Sequence, residues 1–181
     1  MKSNADQRFP YPAAPMASTN LDLRLLRAMR TRGHSPGLEA AAVALGKAGN
    51  NALIWVLLNL VLAAIDWSRH EQWLICAALG PICIGLNYLI KLAVRRPRPV
   101  LEGLPPLAGA PSSLSFPSAH AFSSFAVATA MFRVDPATAG ALVVAAAISL
   151  GRPYLGMHYP SDVFVGALLG VLVGLIVPLS L

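Results

Sequence analysis

From residue 50 to the end of the chain, long apolar runs alternate with short polar segments. Of the 181 residues, 56% are hydrophobic and only 12% are charged, which is far from the composition of an ordinary soluble domain. Several runs approach the roughly 20 apolar residues that an α-helix needs to cross the hydrocarbon core of a bilayer. The sequence therefore predicts an all-α protein built as a polytopic bundle of membrane helices.

We expect about five transmembrane helices, at residues 50–67, 71–94, 118–132, 136–150 and 160–181. Residues 21–32 place leucines on one helical face among arginines, which is typical of an amphipathic helix lying in the membrane interface. A solvated helix packed on the rest of the protein is the alternative. The short apolar segment 37–48 is interpreted as a second interfacial or re-entrant piece.

The length of the chain indicates a single domain with an N-terminal extension. Residues 1–20 are polar and Pro-rich, lack the apolar core of a signal peptide and are interpreted as a disordered tail. Residues 21–48 would form the interfacial helices, and residues 49–181 the transmembrane domain that carries the chemistry.

The basic residues of the chain, which has a net charge of +6, cluster at the predicted membrane edges. Because they do not form one soluble face, we expect an anionic lipid membrane rather than nucleic acid as the partner. The only cysteines, Cys76 and Cys83, lie two turns apart in one predicted helix. Their separation of roughly 10 Å is too long for a disulfide, and two cysteines do not make a metal–thiolate site.

Three polar motifs interrupt the apolar pattern, and the first contains Lys91 and Arg98 at the end of the second predicted span. An ammonium and a planar guanidinium together suit a bound phosphate. The alternative is a positively charged membrane anchor, since cations at the ends of spans often have no other role.

The second motif, residues 117–120, opens the third predicted span. A proline and a serine are common at a helix N-terminus, so the first N–H groups, those of Ser118, Ala119 and His120, are expected to be free for an anion. The Ser118 hydroxyl is a further donor. The alternative is simple capping, with His120 facing a lipid headgroup, although an ionisable group at the entrance of a span favours a functional role.

The third motif contains Arg152, His158 and Asp162. Pro160 suits the first helical position, so Asp162 in the first turn can reach back to one ring nitrogen of His158 and leave the other nitrogen basic. That is the arrangement of a nucleophile and the group that orients it. The alternative is a capping aspartate beside an interfacial histidine.

The remaining histidines, His34 and His70, have no evident partners in the sequence and are interpreted as surface residues. A zinc site on His120 and His158 is disfavoured, because its third ligand could only be Asp162 or a distant residue and nearby cations would repel the metal. No P-loop or dinucleotide-binding fingerprint is present. We therefore expect no metal and no cofactor.

Together the motifs resemble those of the type 2 phosphatidic acid phosphatase superfamily, which includes glucose-6-phosphatase and the vanadium haloperoxidases. Its signatures, Lys-x6-Arg-Pro, Pro-Ser-Gly-His and Ser-Arg-x5-His-x3-Asp, match this sequence in order over roughly residues 45–180. Two positions depart from the pattern. Ala119 replaces a glycine but keeps its N–H, and Gly151 replaces a serine and so removes one hydroxyl donor.

The resemblance implies a metal-independent lipid phosphate phosphatase. His158 would attack phosphorus to form a phosphohistidine, Asp162 would hold its tautomer, and His120 would protonate the leaving oxygen and then activate water. The implied phosphate-binding groups are Lys91, Arg98, Ser118, Ala119 and Arg152. Implied substrates are polyprenyl phosphates or pyrophosphates, phosphatidic acid, phosphatidylglycerol phosphate and polyprenyl-phosphoryl phosphoribose. A lipid phosphotransferase that uses the same phosphohistidine, and a non-enzymatic lipid transporter, are the alternatives.

The predicted spans place all three motifs on one face of a cell (inner) membrane. If five helices cross, twelve of the fourteen Lys and Arg residues lie on that face, and only Arg69 and Arg133 lie opposite. Because positive charge accumulates on the cytoplasmic side, the motifs are predicted to face the cytoplasm.

Overall fold

The computed structural model describes residues 19–109 and 113–179, and every regular element in them is helical. Its seven α-helices are α1 Asn20–Thr31, α2 Pro36–Ala48, α3 Leu53–Ile65, α4 His70–Val94, α5 Ala119–Val134, α6 Gly140–Tyr154 and α7 Pro160–Ile176. Short 3-10 turns lie at Asn50–Ala52, Trp67–Arg69 and Pro136–Ala139. The predicted disordered tail lies outside the described residues except for Thr19, which caps α1, and Asn20, which begins it.

Helices α4 to α7 bring the three motifs to one end of a bundle. Near the end of α4, Asn87 donates a hydrogen bond from Nδ2 to the carbonyl of Pro117, just before α5 (3.1 Å). The N–H of Ser118 donates to the carbonyl of Asp162 in the first turn of α7 (3.0 Å). Helix α5 packs against α4, α6 and α7 and buries most of its length, so it is the central helix.

Three glycines at four-residue spacing let α7 approach α5 backbone to backbone. A Cβ on Gly170 would lie 2.5 Å from the carbonyl oxygen of Phe122, and a Cβ on Gly174 would lie 2.5 Å from that of Ala126. A Cβ on Gly166 would lie 2.7 Å from a backbone oxygen of the second motif. Such small-residue stripes are a common means of close helix packing in membranes. Here the stripe fixes the start of α7 beside the start of α5.

Two helical stretches, Trp67–Val94 and Pro136–Tyr154, are long and apolar enough to cross a membrane. Helices α2 and α3 add a third candidate if the pair, bent by 56°, is counted as one span. Helix α7 is apolar but has only 17 residues, and α5, with 16, is largely enclosed by its neighbours. The prediction of an all-helical membrane protein is confirmed, whereas the expected number of about five spans stays a prediction.

Helix α2 lies at the same end of the bundle as the motifs. In its last turn Gly46 lies beside the guanidinium of Arg152, and Gly49, which follows it, lies beside His120. In the connection that precedes α2, the carbonyl of Gly33 accepts a hydrogen bond from the hydroxyl of Tyr154, the last residue of α6 (3.4 Å). The C-terminal turn of α2 therefore forms one wall of the motif end.

Helix α1 also packs at the motif end of the bundle, but the face that it buries is not its leucine-rich face. Its leucines Leu21 and Leu25 are 63% and 45% exposed. The buried residues are instead Asp22, Leu26 and Arg30, which are one turn apart along the helix. The apolar face predicted from the sequence is thus free for an interface, but the helix is held to the protein by its charged face.

The expectation that His34 and His70 have no partners is wrong. Nδ1 of His34 lies 2.9 Å from Oε1 of Glu39, and its ring stacks on that of Tyr154 with centroids 4.1 Å apart. Nδ1 of His70 lies 2.9 Å from the carbonyl oxygen of Ala63. Glu39 and Ala63 are reached across short connections between consecutive helices, and Tyr154 is reached because α6 packs nearby.

Candidate active site

The three motifs line a pocket at one end of the bundle. Six of the eight predicted site residues line it, namely Lys91, Arg98, Ala119, His120, Arg152 and His158. The other two, Ser118 and Asp162, are completely buried behind it. Lys91 comes from the end of α4, His120 from the first turn of α5 and Arg152 from the last turn of α6, so the pocket exists only when all three helices pack.

His158 presents a lone pair toward the pocket. Its Nε2 lies 3.1 Å from Nη1 of Arg98. A guanidinium can only donate, so Nε2 is the acceptor and the ring proton is on Nδ1. Nδ1 faces Oδ2 of Asp162 at 3.4 Å, longer than a normal hydrogen bond, and makes no hydrogen bond within the described residues. Nε2 is therefore the nitrogen that is basic and directed at the pocket.

Burial and the surrounding positive charges keep His158 unprotonated. Burial lowers the pKa of His158 well below its usual value, and the charges of Arg98, Lys91 and Arg152 lower it further. A neutral imidazole at neutral pH is the form that a nucleophilic histidine needs.

Asp162 is held by groups on both of its oxygens. Oδ2 accepts the N–H of Tyr159 (2.9 Å), so the aspartate does cap α7, as the alternative interpretation of the third motif required. Oδ1 accepts Nη1 of Arg96 at 2.6 Å. One carboxylate thus closes the helix N-terminus and faces the ring of His158, so the capping role of Asp162 does not exclude a role in orienting the histidine.

The second motif differs in one respect from its prediction. The Ser118 N–H is not free for an anion, because it donates to the carbonyl of Asp162 (3.0 Å). The Ser118 hydroxyl is buried and has no hydrogen-bond partner in the described part of the chain. The Ala119 backbone lines the pocket at the first turn of α5, where N–H groups lack intrahelical partners. The contribution of each group to phosphate binding stays a prediction.

Three cations face the pocket. Arg98 is positioned by the carbonyl of Ser113 (2.8 Å) and that of Met157 (2.6 Å), and Lys91 donates to the carbonyl of Leu114. Burial, followed by the nearby charge of Arg152, lowers the pKa of Arg98 to about 10. Within residues 19–109 and 113–179 no carboxylate forms an ion pair with any of these three cations. The pocket is therefore a site for an anion.

His120 is positioned by two groups that the sequence did not suggest. Its Nε2 lies 3.0 Å from the carbonyl oxygen of Gly46 and 3.2 Å from Oδ1 of Asn50. Both partners accept, so Nε2 carries a proton in this arrangement. Gly46 also makes room for Arg152, because a Cβ there would lie 2.6 Å from Nη1 of the arginine. The polar break at 49–51 between two apolar segments was the available signal.

At Gly151, which stands where the resemblance expects serine, a side chain would be directed at α2 and not at the pocket-lining residues. A Cβ at this position would make an ordinary contact with Ala42 on α2, at 3.7 Å. In the described residues no three His, Cys, Asp or Glu side chains come together as a metal site requires. The absence of a metal from the reaction stays an expectation from the resemblance.

Comparison with known proteins identifies relatives of this chain. A family model described as the PAP2 superfamily matches residues 71–181. A curated relative, decaprenylphosphoryl-5-phosphoribose phosphatase of Mycobacterium tuberculosis (strain ATCC 25618 / H37Rv), is 39% identical over 142 residues, which are 78% of this chain and 80% of the relative.

Two solved structures share the fold. The crystal structure of Aquifex aeolicus LpxE superposes with a TM-score of 0.67 at 24% identity, covering 87% of this chain and 94% of that one. A transmembrane PAP2-type phosphatidylglycerolphosphate phosphatase from Bacillus subtilis superposes with a TM-score of 0.66 at 23% identity, covering 87% and 85%. The chain therefore belongs to the PAP2 superfamily, as its motifs predicted, and is a membrane phosphatase of that family.

Proposed function

We propose that this phosphatase removes the terminal phosphate of a polyprenyl-linked phosphosugar of the decaprenylphosphoryl-5-phosphoribose type. The observation that carries the proposal is the pocket itself, in which three cations without carboxylate partners surround an unprotonated nitrogen of His158. The mycobacterial relative whose name gives this substrate aligns with most of the chain. A lipid-linked substrate suits a pocket at the end of a membrane bundle, because its polar head can enter while its tail stays in the bilayer.

The reaction is proposed to proceed in two in-line displacements. Nε2 of His158 attacks phosphorus as the bond to the sugar oxygen breaks. The imidazolium form of His120 gives a proton to that oxygen and becomes neutral. His120 then takes a proton from water, whose oxygen attacks the phosphohistidine and releases inorganic phosphate and His158. Lys91, Arg98 and Arg152 stabilise the charge on the phosphoryl oxygens throughout, which is the dominant contribution in phosphoryl transfer.

Arg98 has two positions in this scheme. In the structure it donates to Nε2 of His158, the atom that must be released before attack. A phosphate oxygen is a better acceptor for a guanidinium than an imidazole nitrogen. Substrate binding therefore takes over this donor and frees the nucleophile.

We also propose the membrane arrangement, with residues 49–181 as the transmembrane phosphatase domain, residues 21–48 as interfacial helices and about five crossings. Docking of α1 and α2 at the motif end supports placing the N-terminal segment on the face that holds the site. At the other end of the bundle, Arg69 is neutralised by Asp66 (2.6 Å) and Asp135 (2.9 Å). The excess of unpaired positive charge at the motif end favours the cytoplasmic face.

Phosphate release by the purified protein in detergent tests the function. The substrates are a synthetic polyprenylphosphoryl-5-phosphoribose, phosphatidic acid, phosphatidylglycerol phosphate and a polyprenyl pyrophosphate, each with EDTA present. We expect the phosphoribose lipid to have the highest kcat/KM and His158→Ala to be inactive. Preference for another lipid would refute the substrate, activity abolished by EDTA would refute the metal-independent mechanism, and labelled phosphate on an acceptor other than water would indicate a transferase.

A further inference from the structure

Arg96 joins two buried carboxylates from opposite ends of the sequence. Its Nη1 donates to Oδ1 of Asp162 at 2.6 Å, and its Nη2 donates to Oδ2 of Asp22, on α1, at 2.7 Å. The side chain of Arg96 is 2% exposed, that of Asp22 is 6% exposed and that of Asp162 is fully buried. Neither Asp22 nor Arg96 belongs to the residues that the motifs single out.

Further contacts bind this bridge to the first turn of α7. The N–H and hydroxyl of Ser161 donate to the two oxygens of Asp22, at 3.0 and 2.6 Å. Nη1 of Arg96 is also 2.7 Å from the Ser161 hydroxyl, and its guanidinium lies over the ring of Tyr159, 4.1 Å from the centroid. Asp22 and Arg96 therefore hold the segment that carries both His158 and Asp162.

The charges explain why a second carboxylate is useful. Arg96 with Asp162 alone would be a neutral pair, and Asp162 would then offer little negative potential to His158. With Asp22 the group of three carries one net negative charge, behind a pocket that is lined in the described residues by three cations and no carboxylate. Attack on phosphorus makes the imidazole of His158 positively charged, so this negative charge stabilises the intermediate. In a buried site such charges interact strongly.

We propose that Asp22 and Arg96 are positioning residues that act on His158 through Asp162, and that α1 thereby belongs to the active site as well as to the membrane interface. The inference rests on the proposed role of His158 as nucleophile. Neither residue touches the substrate, and their effect is to fix the place and the electrostatic environment of groups that do.

The kinetic test uses the full-length protein in detergent, with Asp22→Asn as the main variant. This nearly isosteric change removes the charge, and we expect kcat to fall about tenfold with KM within twofold of wild type. Arg30→Gln is the matched control. Arg30 is buried on the same face of α1 and anchors the helix through the carbonyl of Pro105 (2.6 Å), but it has no contact with Asp162. We expect its kcat to stay within twofold of wild type.

The pH dependence of kcat/KM separates an electrostatic role from a merely structural one. The charged and titratable groups near His158 are Asp162, His120, Lys91, Arg98 and Arg152. On the acidic limb of this profile, kcat/KM falls as His158 becomes protonated. Removing the negative charge of Asp22 makes that protonation less favourable, so Asp22→Asn should move the acidic limb to lower pH. Removing the positive charge in Arg96→Gln should move it to higher pH. A general loosening of the fold would not move the two limbs in opposite directions.

Each outcome decides the inference. The inference is overturned if kcat of Asp22→Asn equals that of wild type, or if Arg30→Gln loses as much kcat as Asp22→Asn. It is also overturned if the acidic limbs of the two pH profiles do not separate. In each of these cases an active wild type leaves the proposed function standing. An inactive wild type would overturn both. If Asp22→Asn does not elute as a folded protein, Arg96→Lys replaces it. That variant keeps the positive charge but cannot bridge the two carboxylates. The inference then requires kcat to fall about tenfold while the acidic limb of the pH profile of kcat/KM stays at its wild-type position.

Discussion

Arg98 and His158 are in direct contact, with Nη1 of the arginine 3.1 Å from Nε2 of the histidine. The contact sets the histidine tautomer, because an acceptor at Nε2 requires the ring proton on Nδ1. In the proposed mechanism this side chain serves the site in two states. Without substrate it orients the nucleophile, and with substrate it binds the phosphate whose arrival releases that nucleophile.

Replacing Arg98 with lysine should therefore be costly. An ammonium keeps the charge but cannot donate at the same time to the carbonyls of Ser113 and Met157 and to a phosphate oxygen. We expect kcat/KM for the phosphoribose lipid to fall about 100-fold, with weaker inhibition by inorganic phosphate. Arg95→Lys is the control, because Arg95 is exposed and only donates to the carbonyl of Leu92. A similar loss in the control would contradict the role given to Arg98.

Gly46→Ala should damage activity more than stability. The added methyl group would lie 2.6 Å from Nη1 of Arg152, and the flexible end of that arginine can move away at little cost to the fold. The guanidinium would then leave its place at the pocket, so we expect kcat/KM to fall about tenfold. Gly37→Ala on the same helix meets nothing within 4 Å and should behave as wild type. Equal activity of the two variants would refute the prediction.

Asn50→Ala should impair the second step most. Oδ1 of Asn50 and the carbonyl of Gly46 both face Nε2 of His120, and losing one acceptor leaves the ring less well oriented for proton transfer. We expect the phosphohistidine to accumulate, because His120 must activate water in its hydrolysis. Because the P–N bond of phosphohistidine is hydrolysed in acid, the reaction is stopped with detergent at alkaline pH. Intact-mass measurement at alkaline pH would then detect a protein heavier by one HPO3 group. Asn51→Gly serves as the comparison. It also removes a side chain that lines the pocket, glycine tolerates the φ of 53° at this position, and in the described residues no hydrogen bond joins Asn51 to His120.

Gly170→Ala should destabilise the bundle. Its methyl group would meet a backbone carbonyl at 2.5 Å, and backbone cannot move aside without separating α7 from α5. Overpacking of this kind costs about 1–3 kcal/mol, which corresponds to a fall of about 2–12 °C in the midpoint of thermal unfolding. Gly85→Ala, an exposed position on α4 with nothing within 4 Å, should not lower the midpoint measured in the same detergent.

The low pKa of His158 predicts how both activity and stability depend on pH. Phosphohistidine formation should persist below pH 6.5, the usual pKa of histidine, because the nucleophile stays unprotonated there. The unfolded chain binds a proton near pH 6.5 that the folded state does not bind. Stability should therefore fall as the pH decreases below that value. The midpoint of His158→Gln should fall less between pH 7.5 and 5.5, and an equal fall would contradict the assignment.

Much of the site was predictable because it is made of local motifs. Asp162 is four residues from His158, and a helix start between them brings the two together whatever the rest of the chain does. His120 follows a proline and a serine that mark a helix N-terminus. In contrast, the freedom of the Ser118 N–H was wrongly predicted, because its acceptor is the carbonyl of Asp162 on another helix. The face that α1 buries could not be predicted either, because an amphipathic pattern does not show which face of the helix packs against the rest of the protein.

The amino-acid sequence alone was enough to predict that this chain is helical, lies in a membrane and carries the three phosphatase motifs in order. Those properties depend on composition and on spacing within single segments. The contact of Asp22 with Asp162 through Arg96, and the contacts of Gly46 and Asn50 with Arg152 and His120, could be found only in the folded structure. These groups come from segments far apart in the chain, and their contacts exist only after helices pack. The glycine stripe on α7 and the docking of α1 by its charges set that packing.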